Sequence, residues 1–232
     1  MPENSALAYF LRCATGRNIR INSSVATTAL LGYLLSLLIA LIRGSAAQLL
    51  RLRLPRLLFL GSGARIVGMR HASIGAKLRL GECAKIACWS KDGIRIGNEF
   101  SLGAFSTITN GFNPFGEIGI VKIGDNVGLG EYCYICAPCD VTIGSNTISG
   151  QYLSIHPQNH IFTSIDRPIR LQGTTSVGIV IGEDCWIGAK VTILDGVTIG
   201  SGSIIAAGAV VTQSFPERSI IGGVPAKQLG TR

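Results

Sequence analysis

The chain has 232 residues, of which 47% are hydrophobic, 15% are charged and only 6% are aromatic. This apolar content excludes an intrinsically disordered protein, because such a chain can bury enough surface to offset its ordering entropy. Its 30 glycines lack the every-third spacing of collagen, and its formal net charge of +8 indicates an anionic partner.

The net positive charge comes entirely from the N-terminal third of the sequence. Residues 1–79 contain 11 Lys/Arg and one acidic residue, Glu3, whereas residues 80–232 contain 10 basic and 12 acidic residues. Such asymmetry is typical of a protein that binds a polyanionic surface, either a membrane or a nucleic acid.

A charge-free run of 18 residues, Val25 to Ile42, favours the membrane. As a helix it would be about 27 Å long, slightly shorter than a hydrocarbon core of ~30 Å. We therefore expect residues 1–56 to form a basic, apolar helical extension that spans or lies on a membrane. A helix packed against the protein or an oligomeric partner is the alternative. The flanking arginines would face anionic headgroups; they are Arg17, Arg20, Arg43, Arg51, Arg53 and Arg56.

The remainder of the chain repeats every six residues. The clearest series of hexad-leading aliphatics is Ile181, Ile187, Ile193, Ile199, Ile205 and Val211. A period of six fits neither a helix nor an alternating strand, and it is typical of a parallel β-helix. The pattern predicts about six coils, with the first residue of each hexad pointing inward. It also predicts a small fifth residue, since the narrow interior leaves little room for aromatic rings.

Residues 57–232 are thus expected to form an all-β solenoid domain with two excursions, 109–119 and 156–178. Loops longer than ~12–15 residues inside a compact solenoid are usually functional. The second excursion contains two of the three histidines, His156 and His160. The third, His71, lies in the early coils, where a surface or structural role is expected.

The block from Val180 to Leu229 and the upstream loop HPQNHIFTSIDRPIRLQG (156–173) resemble the hexapeptide-repeat acetyltransferases. The resemblance is greatest to the branch of maltose, galactoside and surface-polysaccharide O-acetyltransferases, and it covers most of residues 60–232. It implies a left-handed parallel β-helix, usually a homotrimer with each active site between adjacent subunits. It also implies direct acetyl transfer from acetyl-CoA, without an acyl-enzyme and without a metal.

The resemblance implies that a histidine removes the proton of the acceptor hydroxyl. Counting hexads from Ile143 to the family's histidine position reaches His160, with His156 as the second candidate or as part of the acceptor pocket. Neutral imidazole suits this role, since an unperturbed histidine has a pKa near 6.5. Which carboxylate orients the base is left open among Asp166, Glu131 and Asp140.

For the two substrates, the resemblance indicates two sets of residues. The expected acetyl-CoA contacts are Trp186, Gly188, Ala189, Ala207, Thr212 and Lys227. The expected acceptor contacts are Glu131, Tyr132 and Asn159. A wedge at a coil corner is the alternative role for Trp186. Gln213 and Gly130 depart from the family, which often has lysine and asparagine there.

The sequence therefore predicts an acetyl-CoA-dependent O-acetyltransferase acting on a saccharide hydroxyl in surface-polysaccharide synthesis, that is, of capsule, exopolysaccharide or lipopolysaccharide. A soluble sugar, a nucleotide sugar or another small acceptor is the alternative. Two other classes share the repeat: a zinc lyase like the γ-type carbonic anhydrases, and a non-catalytic trimeric scaffold. The expected location is cytoplasmic, on the cytoplasmic face of the inner membrane.

Seven cysteines, an odd number, argue against a complete disulfide framework. The spacing Cys133-x2-Cys136-x2-Cys139 is compatible with a metal site. However, each of these cysteines occupies a hexad position that favours a small residue. We expect them to be reduced packing residues, as in a cytosolic protein.

Overall fold

The structure is a computed structural model that describes residues 27–49, 57–113 and 116–232. The expectations for Val25 and for the arginines at 17, 20, 51, 53 and 56 lie outside these residues. In the described part, short parallel strands wind into a prism with three faces, A, B and C. This is the parallel β-helix predicted from the repeat, with the left-handed sense that the resemblance implied.

Each face is a sheet whose neighbouring strands come from successive coils. Face A comprises β1 (Leu58–Leu60), β4 (Leu78–Leu80), β7 (Ser101–Leu102), β10 (Gly128–Leu129), β13 (Ile148–Ser149), β18 (Trp186–Ile187), β21 (Ile204–Ile205), β23 (Ser219–Gly223) and β24 (Ala226–Thr231). Face B comprises β2 (Arg65–Val67), β5 (Lys85–Ala87), β8 (Thr107–Thr109), β11 (Tyr134–Cys136), β14 (Ser154–His156), β19 (Thr192–Leu194) and β22 (Val210–Val211). Face C comprises β3 (Ala72–Ile74), β6 (Ile94–Ile96), β9 (Val121–Ile123), β12 (Val141–Ile143), β17 (Ile179–Ile181) and β20 (Thr198–Ile199).

Six complete coils follow from this order, each with one strand per face. Coils 1 to 4 take β1–β3, β4–β6, β7–β9 and β10–β12; coil 5 takes β13, β14 and β17; coil 6 takes β18–β20. Strands β21 and β22 begin a seventh coil. The prism ends in β23 and β24, which are antiparallel, so the last strand of the stack folds back on its neighbour.

The core is the column of inward side chains that the hexads place at equal heights. The six aliphatics from Ile181 to Val211 are all buried, as predicted. The expectation of a small fifth residue is wrong at several positions: Leu78 and Leu153 are buried there, and the largest exception, Phe100, is only 1% exposed. It lies at the C-to-A corner, and its counterparts in coils 2 and 4 are Leu78 and Val127. The allowed size therefore depends on which side chains are stacked above and below.

Hydroxyl groups at other fifth positions satisfy the backbone of the corners. Ser106 Oγ donates to the carbonyl of Gly130 at 3.0 Å and accepts from the amide of Cys133 at 2.9 Å. Thr147 Oγ1 donates to Gly182 at 3.0 Å and accepts from Cys185 at 3.2 Å. Buried polar side chains of this kind are tolerated because each is hydrogen-bonded.

The corner between faces A and B, here the A–B corner, is a two-residue turn in every coil. Its second residue has positive φ even where it is bulky: 58° at Phe105, 55° at Tyr132 and 61° at Tyr152. Left-handed backbone is uncommon for such residues. The stacked hydrogen bonds of the turns hold it in place, as from the amide of Tyr132 to the carbonyl of Ala104 at 2.9 Å.

The corner between faces B and C, here the B–C corner, varies from coil to coil. It holds the 3-10 turn Met69–His71 in coil 1 and the excursion 110–119 in coil 3. In coil 5 it holds a longer arm that contains β15 (Asn159–His160), the 3-10 turn Ile169–Leu171 and β16 (Thr174–Thr175). Both expected excursions therefore emerge from one edge of the prism, two coils apart.

One α-helix, α1 (Thr27–Leu49), precedes the prism in the described residues and packs on β1. Among those residues it is the one helix long and apolar enough, by length and composition, to cross a membrane, over Thr28–Ala47. Most of this segment is exposed in the structure.

Candidate active site

The two histidines of the arm lie four residues apart at the B–C corner of coil 5, and they are held differently. His156 ends β14 on the outer surface of face B, where its Nε2 lies 2.7 Å from Ser154 Oγ. Its ring is 6.4 Å from that of Tyr134 in the coil below. His160 lies beyond buried Pro157 on β15, and its side chain is exposed.

Strand β15 is held as part of an antiparallel hairpin. Asn159 pairs with Thr175 and His160 with Thr174, so backbone pairing sets the direction of this part of the arm. The amide of Ile161 donates to Gly173 at 3.1 Å, which closes the outer loop. His160 is therefore on a two-stranded ribbon that projects from the prism.

Gln172 braces the outer loop of the arm. Its Oε1 accepts from the amide of Ser164 at 3.0 Å, and its Nε2 donates to the carbonyls of Ser164 and Arg167 at 2.8 and 2.7 Å. Three hydrogen bonds from one side chain make this loop an ordered structure. Its apolar side chains nevertheless face solvent, and Ile165 is 97% exposed.

Asp195 attaches the returning strand of the arm to coil 6. Its carboxylate accepts from the amide of Val177 at 2.9 and 3.1 Å and from the amide of Gly178 at 2.8 Å. A carboxylate that accepts backbone N–H groups forms a strong, charge-assisted contact. This positioning residue was not expected from the sequence, where Asp195 is one of many acids that follow a hexad aliphatic.

The two excursions of the B–C corner also touch each other. Gln158 Nε2, two residues before His160, donates to Glu117 Oε2 on the 110–119 excursion. Buried Asn110 fixes the base of that excursion by accepting from the amide of Trp89 at 2.8 Å and donating to the carbonyl of Gly119 at 3.1 Å. The shorter excursion thus supports the segment that carries the histidine.

None of the three carboxylates considered as an orienting group contacts either histidine within the described residues. Asp166 is exposed on the outer loop of the arm, and Glu131 is exposed at the A–B corner of coil 4. Asp140 instead accepts the amide of Ile120 at 2.9 Å, which links coils 3 and 4.

The residues expected to contact acetyl-CoA lie mainly along the A–B corner of the last coils. Gly188 and Ala189 form this corner in coil 6, and Ala207 forms it directly above. A Cβ at Gly188 would lie 2.5 Å from the amide nitrogen of Ala207. The two turns are therefore packed as closely as backbone allows, and their small side chains keep the outer surface open.

The other expected acetyl-CoA contacts lie on faces A and B. Trp186 projects from face A two residues before Gly188 and is 56% exposed, so it is not buried as a wedge at the corner. Thr212 follows β22 on face B, and Lys227 lies exposed on β24 at the end of face A. Trp186 and Lys227 therefore lie on the face-A side of the A–B corner, whereas Thr212 lies across face B at the B–C edge.

The expected acceptor contact Tyr132 lies on the same corner, two coils below Gly188. It is the middle ring of a stack that sequence analysis missed: Phe105 and Tyr152 lie 5.2 and 5.0 Å from it, at interplanar angles of 12° and 8°. Both faces of the Tyr132 ring are covered by its neighbours. Its hydroxyl and ring edge are what it can offer to a ligand.

Face B separates these two groups of residues. Tyr132, Gly188, Ala189 and Ala207 line its A–B edge, whereas His156 and the arm with His160 lie at its B–C edge. Within one chain, the structure thus groups Gly188, Ala189 and Ala207 at the edge away from the histidines, whereas Thr212 continues the column of His156 and Leu194 at the B–C edge.

Burial raises the pKa of the thiols of Cys88, Cys133, Cys136 and Cys185. Burial, followed by the neighbouring Cys136, likewise raises the pKa of Tyr134 beside His156. No group of three His, Cys, Asp or Glu side chains in the described part of the chain is arranged to hold a metal ion. The cysteines of coil 4 behave as packing residues.

A three-sided β-helix that carries a histidine-bearing arm defines a class of hexapeptide-repeat transferase. Residues 178–213 match the family model described as bacterial transferase hexapeptide (six repeats). The putative lipopolysaccharide biosynthesis O-acetyl transferase WbbJ of Escherichia coli K12 is 34% identical over 143 residues, covering 57% of this chain and 72% of WbbJ. The probable acetyltransferase Rv3034c of Mycobacterium tuberculosis is 37% identical over 114 residues, covering 49% and 38% of the two chains.

The chain belongs to the hexapeptide-repeat acetyltransferase family, and it is an acyltransferase. Among solved structures, a mutant of AntD, an N-acyltransferase from Bacillus cereus in complex with dTDP and coenzyme A, superposes with a TM-score of 0.57. It is 20% identical and the match covers 69% of this chain and 84% of AntD, a likeness that concerns the fold.

Proposed function

We propose that this protein transfers the acetyl group of acetyl-CoA to a hydroxyl of a saccharide, within the synthesis of a surface polysaccharide. The observation that carries the proposal is the exposed His160 on an ordered arm of an acetyltransferase prism. WbbJ, named for lipopolysaccharide O-acetylation, supports the saccharide acceptor. A soluble sugar or nucleotide sugar is the second acceptor class.

In the proposed reaction, His160 takes the proton of the acceptor hydroxyl as general base. The acceptor oxygen forms a bond to the thioester carbonyl carbon, the carbon–sulfur bond breaks, and the histidine returns the proton to the departing CoA thiolate. Positioned base catalysis of this kind typically contributes ~10²–10⁴-fold. Alignment of the two substrates and stabilisation of the oxyanion supply the rest.

Acetyl-CoA is placed by this proposal along the A–B corner of coils 6 and 7. Gly188, Ala189 and Ala207 offer backbone without bulky side chains, and Trp186 offers an exposed indole beside them. Lys227 lies beyond them on β24, where a lysine can act as a point charge for CoA phosphates, and Thr212 lies across face B. Glu131, the Tyr132 hydroxyl and Asn159 are proposed to contact the acceptor.

The separation of these groups across face B favours a homotrimer. A site assembled between two chains would bring the arm of one subunit against the A–B corner of its neighbour. The exposed apolar residues of the arm, among them Phe162 and Ile165, would then be covered. In this arrangement residues 57–232 form the catalytic domain and residues 1–56 an accessory extension on the cytoplasmic face of the inner membrane.

The test is release of free CoA from acetyl-CoA when purified protein is offered a panel of saccharides, with His160→Ala as the matched control. We expect acceptor-dependent CoA release by the unaltered protein and loss of it in the variant. Turnover of the variant at the normal rate would overturn the assignment of the base. CoA release with no saccharide, but with other hydroxyl or amine acceptors, would overturn the acceptor class.

A further inference from the structure

Helix α1 packs on the prism with one of its sides. Leu34, Leu37 and Leu41 contact Phe59, which points outward from β1, and Ala47 packs against the main core. A Cβ at Gly44 would overlap the carbonyl oxygen of Leu58, so here the helix backbone lies directly on β1. The helix thus covers the N-terminal end of the solenoid, where no coil precedes the first strand among the described residues.

The outer side of α1 is a continuous stripe of exposed, large aliphatic side chains. Their spacing of i, i+4, i+7, i+8 and i+11 places them on one face of a helix; they are Leu31, Leu35, Leu38, Ile39 and Ile42. Ser36 and Arg43, which are exposed and two turns apart, form a polar border along one edge of it. The helix is therefore apolar on its outer side as well as on the side that the prism covers.

The part of the prism next to this stripe is strongly basic. Residues 57–96, which include coils 1 and 2, contain seven Lys/Arg and two acidic residues, whereas residues 97–232 contain seven and ten. Arg65 and Lys85 are exposed neighbours on adjacent strands of face B, and neither forms a salt bridge within the described residues. Like charges side by side are unfavourable unless an external anion lies near them.

We propose that α1 lies in the plane of an anionic phospholipid bilayer, with this outer stripe in the boundary between headgroups and acyl chains. The basic side chains of coils 1 and 2 then face the headgroups. An apolar helical face bordered by cationic groups binds such surfaces through both its buried area and its charge. The acidic excess of residues 97–232 is repelled by the same surface, so the remaining coils point away from it.

This geometry excludes a helix that crosses the bilayer while it stays packed on the prism. Leu34, Leu37 and Leu41 are tied to Phe59 over the middle of the helix, so a spanning helix would draw coil 1 into the hydrocarbon. The charged Arg65 and Arg70 of that coil would follow, and charged groups are costly there. When α1 lies flat, its packed side stays on the prism and its apolar stripe lies at the boundary of the acyl chains. The basic coils then face the headgroups.

The proposal deepens the proposed function and rests on it for one consequence, the acceptor. Coil 5, with its histidines, is four layers further along the prism than coil 1, which is about 19 Å at the spacing of neighbouring strands. The site would stand outside the bilayer yet close to its surface. The acceptor class that this favours is a saccharide held at the membrane by a lipid.

The test is flotation of the purified full chain with vesicles of phosphatidylcholine alone or mixed with phosphatidylglycerol. We expect binding to the mixed vesicles that weakens with salt, and at least tenfold weaker binding after Leu35→Glu with Ile42→Glu. Val224→Glu, an exposed apolar residue at the other end of the prism, is the control and should bind as the unaltered chain does. Failure of the unaltered chain to bind, or equal binding by the double variant, would overturn the proposal.

Two further measurements separate the remaining outcomes. A fall in oligomeric mass of the double variant without vesicles would assign the stripe to a second copy and overturn the proposal. Leu38→Trp fluorescence should be quenched most by lipids brominated near the headgroup, whereas strongest quenching by lipids brominated at the chain ends would indicate a spanning helix. CoA release with a soluble saccharide should be the same in the unaltered chain and the double variant. Absence of release by an unaltered chain that still floats with the mixed vesicles would count against the proposed function and leave membrane binding standing.

Discussion

The A–B and B–C corners of the prism are built from the same repeat but differ in regularity. Every A–B turn has two residues, and the second residue always has positive φ, for example Cys83 in coil 2 and Lys190 in coil 6. At the B–C corner, coil 4 closes in four residues, whereas the arm of coil 5 has more than twenty. The A–B corner provides closely packed backbone. The B–C corner presents exposed side chains, among them His160.

The largest expected effect on activity concerns the B–C corner, where single substitutions distinguish the roles of the two histidines. We expect His160→Ala to lower CoA release by ~10²–10⁴-fold, the range for a positioned base, and His156→Ala to lower it less. The measurement is kcat/KM for acetyl-CoA with a saccharide acceptor. Equal losses in the two variants would remove the distinction between the two histidines.

Ser154→Ala sharpens this comparison, because Ser154 Oγ lies 2.7 Å from His156. A serine and a histidine at this distance also match a nucleophile and its base. Direct transfer predicts that the variant keeps most of its activity. Complete loss, together with an acetylated serine detected by mass spectrometry in the unaltered protein, would instead indicate an acyl-enzyme.

Gly188→Ala tests whether the regular corner depends on close backbone contact. Its Cβ would lie 2.5 Å from the nitrogen of Ala207, and such overpacking typically costs about 1–3 kcal/mol of unfolding free energy. The proposed acetyl-CoA site should also lose affinity, seen as a raised KM for acetyl-CoA. Gly128→Ala is the control, since its Cβ would meet nothing closer than 3.4 Å. Equal stability of the two variants would contradict the packing argument.

Asp195→Ala tests how the arm is held at the irregular corner. The amides of exposed Val177 and half-buried Gly178 would lose their acceptor, at a cost of about 0.5–1.5 kcal/mol for each hydrogen bond. We expect faster hydrogen exchange over residues 157–178 and a lower kcat with little change in KM. Glu183→Ala, which removes an exposed carboxylate from coil 6, is the matched control. Unchanged exchange in the arm would show that Asp195 does not position it.

The smallest effect concerns the cysteines. Burial raises the pKa of Cys133, Cys136 and Cys185, so their thiolate fraction at neutral pH is below that of an ordinary cysteine. Among the cysteines of the described residues, exposed Cys83 should therefore react first with a thiol reagent at pH 7, and the three buried thiols should react only after unfolding. Rapid reaction of Cys136 in the folded protein would contradict the burial of its thiol.

The sequence predicted the fold well, because the hexad repeat is a local pattern. The inward aliphatics from Ile181 to Val211 and the two excursions are where the period places them. Phe100 was missed because the room at a fifth position depends on residues one coil away. The stack of Phe105, Tyr132 and Tyr152 was missed for the same reason, since neighbouring rings in it are 27 and 20 residues apart along the chain.

By itself, the sequence determined the repeat, the family and the pair of histidines, since each depends on residues that are close along the chain. Only the tertiary structure decided that the histidines lie across face B from Gly188, Ala189 and Ala207. It also divided α1 into a packed side and an exposed one. These outcomes depend on which coils are stacked and where a helix meets the end of a solenoid. Such contacts join residues far apart in the chain, and no local period encodes them.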